Sequence, residues 1–209
     1  MSANQYGAVM VAMLFTATSL LFANAITAPV HAWVIGSHNP FWLWGASFVH
    51  IDLMHLIANL IGLFLIQSIF GRMISVSGWL FALLFAAPVA HAAVLMAGHF
   101  SWVAGLSTAL HAVVGYAAIS LLMDEELTAR PAGLVDRPLK WRRNALFALL
   151  VCAGLCVKLL IDAFWEARWV EASARTAASL HAIAAALGAM GAILSCGPGR
   201  WTRPIQFRH

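Results

Sequence analysis

The chain has 209 residues, of which 62% are hydrophobic and only 10% charged. A water-soluble domain carries about 25% charged residues, so this composition excludes a protein that faces water on every side, and lipid is the expected solvent. The net charge of +4 comes from 12 Lys and Arg against 8 Asp and Glu; these basic residues flank apolar stretches, which points to membrane topology and away from nucleic acid.

A helix crosses a bilayer with about 20 mostly apolar residues. In chain order the sequence offers six such spans, at roughly 6–28, 51–70, 78–98, 104–122, 145–165 and 176–195. The expected fold is an all-α membrane protein, a bundle of six transmembrane helices. It forms a single domain over 1–209, with no soluble domain expected at either end. The first span contains Ala23-Asn24-Ala25, which has the small-residue form of a signal-peptide cleavage site. No Lys or Arg precedes it, so it is read as a retained helix.

The stretch Pro29 to Val49 follows, with Trp33, Phe41, Trp42, Trp44 and Phe48 and no basic residue. Tryptophans favour the headgroup zone, so this segment is expected on or in one leaflet. Lys and Arg mark the cytoplasmic side. Arg72 falls between spans two and three. Arg130, Arg137, Lys140, Arg142 and Arg143 fall between spans four and five, and Arg200, Arg203 and Arg208 after span six. Nine of the 12 basic residues thus share one side. With six spans, both termini are expected to be cytoplasmic and the aromatic stretch to lie on the outer face.

Polar side chains inside spans are costly and each asks for a reason. Span two carries His55 and Asn59 at i, i+4, with His50 ahead of them at the loop–helix junction, pointing elsewhere. Span three carries His91 after Pro88, read as a packing histidine. Span four reads Gly105-Leu106-Ser107-Thr108-Ala109-Leu110-His111, and Ser107, His111, Gly115 and Ala118 recur on one face. Span five holds Lys158 and Asp162 at i, i+4, read as a mutual pair. Span six opens with His181, followed by Ala184, Gly188 and then Gly191 or Ala192. Small residues let helix backbones approach closely in lipid, so spans four and six are expected to pack together. Both run inward from the outer face, which sets Ser107 and His181 at similar depth. Cys152, Cys156 and Cys196 show no metal or disulfide spacing and are read as packing residues.

Phe48-x-His50-x4-His55-x3-Asn59, Gly105-x-Ser107 and His181-x6-Gly188 together resemble the rhomboid family of intramembrane serine proteases. The order, spacing and membrane side of these segments carry the resemblance, which extends over the six-helix core. It implies Ser107 as nucleophile and His181 as base. It further implies an oxyanion site built from the Ser107 amide, His55 and Asn59, with His50 bracing the first outer loop. A serine hydroxyl needs such a base. The acids fall in loops or near the surface, apart from Asp162 in span five, so a Ser-His dyad is expected instead of a triad. Many members carry Tyr four residues after the serine, where this chain has His111. Helical side chains lean toward the N-terminus, so His111 is expected beside His181, holding it; service as the base itself is the alternative. Loop bracing departs from the family, whose Trp-Arg pair is not evident in Phe41-Trp42-Leu43-Trp44.

Gly-Leu-Ser-x-x-Leu-His further resembles the rhombosortase branch. That resemblance implies membrane-anchored protein substrates with a C-terminal tail of Gly-Gly, a hydrophobic span and basic residues. It also implies a Gram-negative inner membrane with the site opening to the periplasm. Neither cofactor, metal nor nucleic acid is expected. Two other readings remain. One is an inactive rhomboid-like protein that binds or escorts membrane clients, against which the presence of both Ser107 and His181 argues. The other is a metal or haem protein using His50, His55, His111 and His181, although His-Glu-x-x-His is absent.

Overall fold

The structure is a computed structural model that describes residues 41–50, 53–71, 74–97, 103–123, 139–169 and 177–195. The described residues are helical, with no strand among them. A four-residue helix α1 (Trp42–Gly45) precedes α2 (Leu53–Phe70). Then come α3 (Val76–Met96), α4 (Ser107–Leu122), α5 (Leu139–Trp169) and α6 (Ala177–Ser195). Three helices are long and apolar enough to cross a membrane: Leu53–Phe70, Val76–Met96 and Ala178–Ser195. Ser107–Leu122 is a shorter apolar helix, and Leu146–Ile161 is the shorter apolar part of α5. The second to sixth expected spans therefore coincide with α2 to α6. The expected first span lies outside the described residues. So do Arg72, Arg130, Arg137, Arg200, Arg203, Arg208, Cys196 and the Asp162 side chain read as the partner of Lys158. Lys140, Arg142 and Arg143, expected in the loop before span five, instead fall in α5, which already starts at Leu139.

Helix α2 shows why these sequences make one-sided helices. Its buried residues Leu56, Asn59, Leu63 and Phe70 recur at intervals of three, four and seven, which trace one stripe of an α-helix. Leu53, Met54, Ile61, Phe64 and Leu65 are each more than half exposed. An apolar outward face of this kind suits lipid, which gives large side chains no incentive to turn inward.

Helix α3 starts at Ser75, whose hydroxyl accepts the Gly78 amide at 3.2 Å and so satisfies one orphan donor of the first turn. Midway it widens into a π-helical turn over Ala82–Ala86, where the Ala87 amide reaches back five residues to the Ala82 carbonyl. Pro88 follows at the start of the next α-helical stretch. Proline has no N–H to give the carbonyl four residues earlier, and its ring crowds that turn; a π-turn is one way to absorb the misfit.

Helix α4 is the centre of the bundle. Ten of its 16 residues are buried, and it touches α2, α3, α5 and α6, most extensively α6. The stripe expected on α6 is observed: His181, Ala184, Gly188, Gly191 and Ala192 are all buried. The seam between α4 and α6 is made of backbone. A Cβ added at Gly115 would collide with the Ala185 carbonyl, and one added at Gly188 with the Ala112 carbonyl. Each helix thus supplies a glycine where the other supplies a main-chain oxygen, an approach that larger residues would block.

Candidate active site

The close seam brings together the first turn of α4 and the first turns of α6. His181 Nε2 lies 2.9 Å from Ser107 Oγ, across 74 residues of sequence. Ser107 is half-buried and His181 is 6% exposed. A serine hydroxyl donates across such a contact where Nε2 is the ring nitrogen that carries no proton. This is the arrangement in which an imidazole takes the proton of an attacking serine.

His111 lies one turn after Ser107, and its Nδ1–H donates to the Ser107 carbonyl at 2.7 Å. Its ring stacks on His181 with centroids 3.9 Å apart and planes 7° from parallel. The nitrogen on the Ser107 hydroxyl therefore belongs to His181, while His111 covers the face of that ring. A neutral aromatic face can stabilise an adjacent cation, and a tight stack limits ring rotation.

On the other side of Ser107, Gly105 has a φ of +108°, a region that side chains other than glycine rarely adopt. A Cβ there would come within 2.7 Å of His55 Cε1 and 2.9 Å of His55 Nε2, and 3.5 Å from Asn59 Nδ2. The bare glycine thus lets the α2 side chains close over the chain two residues before Ser107. Asn59 is 6% exposed, and its amide nitrogen is buried without a hydrogen-bond partner among the described residues. A buried, unused donor is costly and is explained if its acceptor arrives with a ligand. The Gly105 amide is itself fixed, donating to the Ala46 carbonyl at 2.9 Å.

His50 is fully buried just ahead of α2, and its Nδ1–H donates to the Phe48 carbonyl at 3.2 Å. Its ring meets His55 edge-on, with centroids 5.3 Å apart at 68°. The five-residue offset had suggested that His50 points away from His55. That reasoning applies to two residues on one helix, whereas α2 begins only at Leu53. Burial, and then the neighbouring His55, push the His50 imidazole from 6.5 down to about 4, against a smaller raising effect of its bond to Phe48.

No family model matches the sequence, and comparisons with curated proteins and with solved structures return no match. The geometry therefore stands on its own. Its four histidines fall into two pairs, His50 with His55 and His111 with His181. Among the described residues no group of three or more His, Cys, Asp and Glu converges in a way that would hold a metal ion. All eight acidic side chains lie outside the described ones, and so does the choice between dyad and triad.

His91, read from the sequence as a packing histidine, does more than fill space. It is fully buried and donates Nδ1–H to the Leu43 carbonyl at 2.8 Å. What sequence reasoning did not single out is the role of main-chain groups in this region, the carbonyls of Leu43, Leu84 and Ala46. Backbone acceptors carry no side-chain signature. Only Pro88, which removes a helical donor, hinted that one of them needed another partner.

Proposed function

We propose that this chain is an intramembrane serine endopeptidase of the rhomboid type, with Ser107 as nucleophile and His181 as base. The observation that carries the proposal is the 2.9 Å contact between Ser107 Oγ and His181 Nε2 within an all-helical, apolar molecule. In this reading six helices span the bilayer with both termini cytoplasmic, and the site opens on the outer side.

The reaction follows from the groups present. Ser107 Oγ attacks the substrate carbonyl carbon as its proton passes to His181 Nε2. Negative charge then develops on the carbonyl oxygen. Asn59 Nδ2, the His55 ring and the Ser107 amide are the donors on that side, and one such donor is worth about 3 kcal/mol to the transition state. The imidazolium returns its proton to the leaving amine and the C–N bond breaks, leaving an acyl-Ser107. A water molecule, deprotonated by His181, releases the new carboxylate and regenerates the hydroxyl. His111 holds the His181 ring in place and offers its face to the imidazolium.

The finer reading is of the rhombosortase type. Its substrates are membrane-anchored proteins with a C-terminal Gly-Gly motif, hydrophobic span and basic end, cleaved at the periplasmic side of a Gram-negative inner membrane. The Gly105-Leu106-Ser107 run with His111 supports it. The test is labelling of the detergent-purified chain with a fluorophosphonate that carries a fluorophore. The parent is expected to label and Ser107→Ala to stay dark. Equal labelling of both would remove Ser107 as the nucleophile, and absence of labelling in both would favour the inactive, client-binding alternative.

A further inference from the structure

Three hydrogen bonds outside the Ser107–His181 pair form a connected path from α3 to the nucleophile. The Leu84 carbonyl, four residues before Pro88, has no proline N–H to accept from. Trp44 Nε1–H donates to it at 2.8 Å. Two turns further along α3, His91 donates Nδ1–H to the Leu43 carbonyl at 2.8 Å. Leu43 and Trp44 are neighbours, so α1 is held at two points on α3. Two residues later the Ala46 carbonyl accepts the Gly105 amide at 2.9 Å, and Gly105 is the positive-φ residue beneath His55 and Asn59.

A histidine serving only to fill space at position 91 would not need to reach a carbonyl 48 residues away. In an apolar surrounding, an unpaired backbone carbonyl is expensive, so the position of Leu43 is tied to a donor at 91. The path then runs through Trp44, Gly45 and Ala46, and ends two residues before Ser107. Ala46 and Ser47 are nearly fully buried, which leaves the segment little room to move independently.

We propose that His91 is a positioning residue for Ser107, acting through the 43–46 segment, and that Trp44 on the Leu84 carbonyl is the second point of the same anchor. This rests on the serine-protease reading, in which Gly105 and Ser107 must keep their places relative to the α2 donors. The His91 hydrogen bond goes to the Leu43 carbonyl, although His181 lies within electrostatic reach of its ring. It fixes the 43–46 main chain, whose Ala46 carbonyl accepts the Gly105 amide and so sets the geometry of the nucleophile turn.

The test uses the full chain in detergent micelles and two readouts. One is amide hydrogen exchange of the peptide covering 103–106, which reports local opening and needs no activity. The other is kcat and KM on a membrane reporter. His91→Leu removes the donor while retaining bulk, and His91→Asn keeps an N–H the same number of bonds from the backbone as Nδ1. Trp44→Phe removes the second donor at a part-exposed ring. His91→Leu is expected to speed exchange in 103–106 and lower kcat about tenfold with little change in KM, the size expected from one lost hydrogen bond. His91→Asn should recover most of both, and Trp44→Phe should shift both the same way by less. Unchanged exchange in 103–106 for His91→Leu overturns the proposal, as does a loss that His91→Asn fails to restore. Where His91→Leu does not fold, Trp44→Phe decides by the same two readouts. Exchange measured in a Ser107→Ala background separates the two readings: a response there with an inactive parent keeps the anchor and removes the protease.

Discussion

Helices α6 and α5 are both apolar and both lie against α4, yet α6 buries far more of its surface than α5 does. Along α6 the buried face is Leu180, His181 and then alanines and glycines, and beyond the first turn it meets the main chain of α4 at close range. Along α5 the large residues Leu146, Leu149, Leu150, Val157, Leu160, Ile161 and Phe164 are all more than half exposed. In water such a face would be a fault, since leucine normally seeks the core. In lipid, burying it brings little, and contact is won by shape and close approach. The difference teaches that on these two helices small side chains mark the buried seam and large ones the boundary, while Trp79, Phe70 and Tyr116 fill the core elsewhere.

Substitutions along the seam are the strongest way to break that contrast. Gly188→Leu drives a side chain into the Ala112 carbonyl, and the helices must part. Activity is expected to vanish and the thermal unfolding midpoint to fall, with overpacking costing about 1–3 kcal/mol or more. Wild-type stability in that variant would show that the seam is not the core. Asn59→Ala leaves the seam intact and removes a proposed oxyanion donor. It should lower kcat about 10²–10³-fold while changing substrate association little, because the donor acts on the transition state; an unchanged kcat takes Asn59 out of the site. His111→Ala uncovers the His181 ring and is expected to lower kcat about tenfold, in the range of one aromatic contact. Complete loss there, alongside an active His181→Ala, would reverse the assignment of the base.

A pH series sharpens the contrast at the polar rim. His50 is held neutral in the folded chain, with its imidazole pushed down to about 4. Between about 6.5 and 4 the unfolded chain therefore binds more protons than the folded one. The contribution of His50 is fully present above 6.5 and is lost as the pH falls toward 4. His50→Asn keeps a donor for the Phe48 carbonyl and removes the titration. Its unfolding midpoint should decline less than the parent's over that window, and parallel curves would contradict the burial of His50. The smallest effect is expected on α5. Leu160, 69% exposed, should tolerate Leu160→Ala within about 0.5 kcal/mol, as outward-facing positions do. A larger loss would mean that α5 has a protein neighbour where lipid is assumed.

The parts of the fold readable from sequence were those carried by local periodicity. Helices α2 to α6 fall at the second to sixth expected spans, with α5 starting at Leu139, six residues ahead of 145. Three of them are long and apolar enough to cross a membrane, and apolar runs of that length have few other uses. The approach of Ser107 to His181 was readable for a different reason. Small residues at helical spacing follow each of them, so face and depth were both encoded along the chain. His50 was misdirected because the helical offset was applied across a helix start. Pro88 marked the irregular turn of α3, but the docking of α1 and the partner of His91 could not be read at all. They join residues 40 or more positions apart through backbone carbonyls, and a carbonyl is the same whatever residue bears it.

Gly105 has a consequence for how the Gly-x-Ser pattern should be understood. Its φ of +108° and the ring of His55 where a Cβ would stand make the glycine a requirement of volume. An alanine at 105 would leave every proton donor and the hydroxyl in the sequence, and would still wedge the imidazole away from its neighbours. The three-residue pattern thus records the clearance around the His55 ring as much as the identity of the proposed nucleophile.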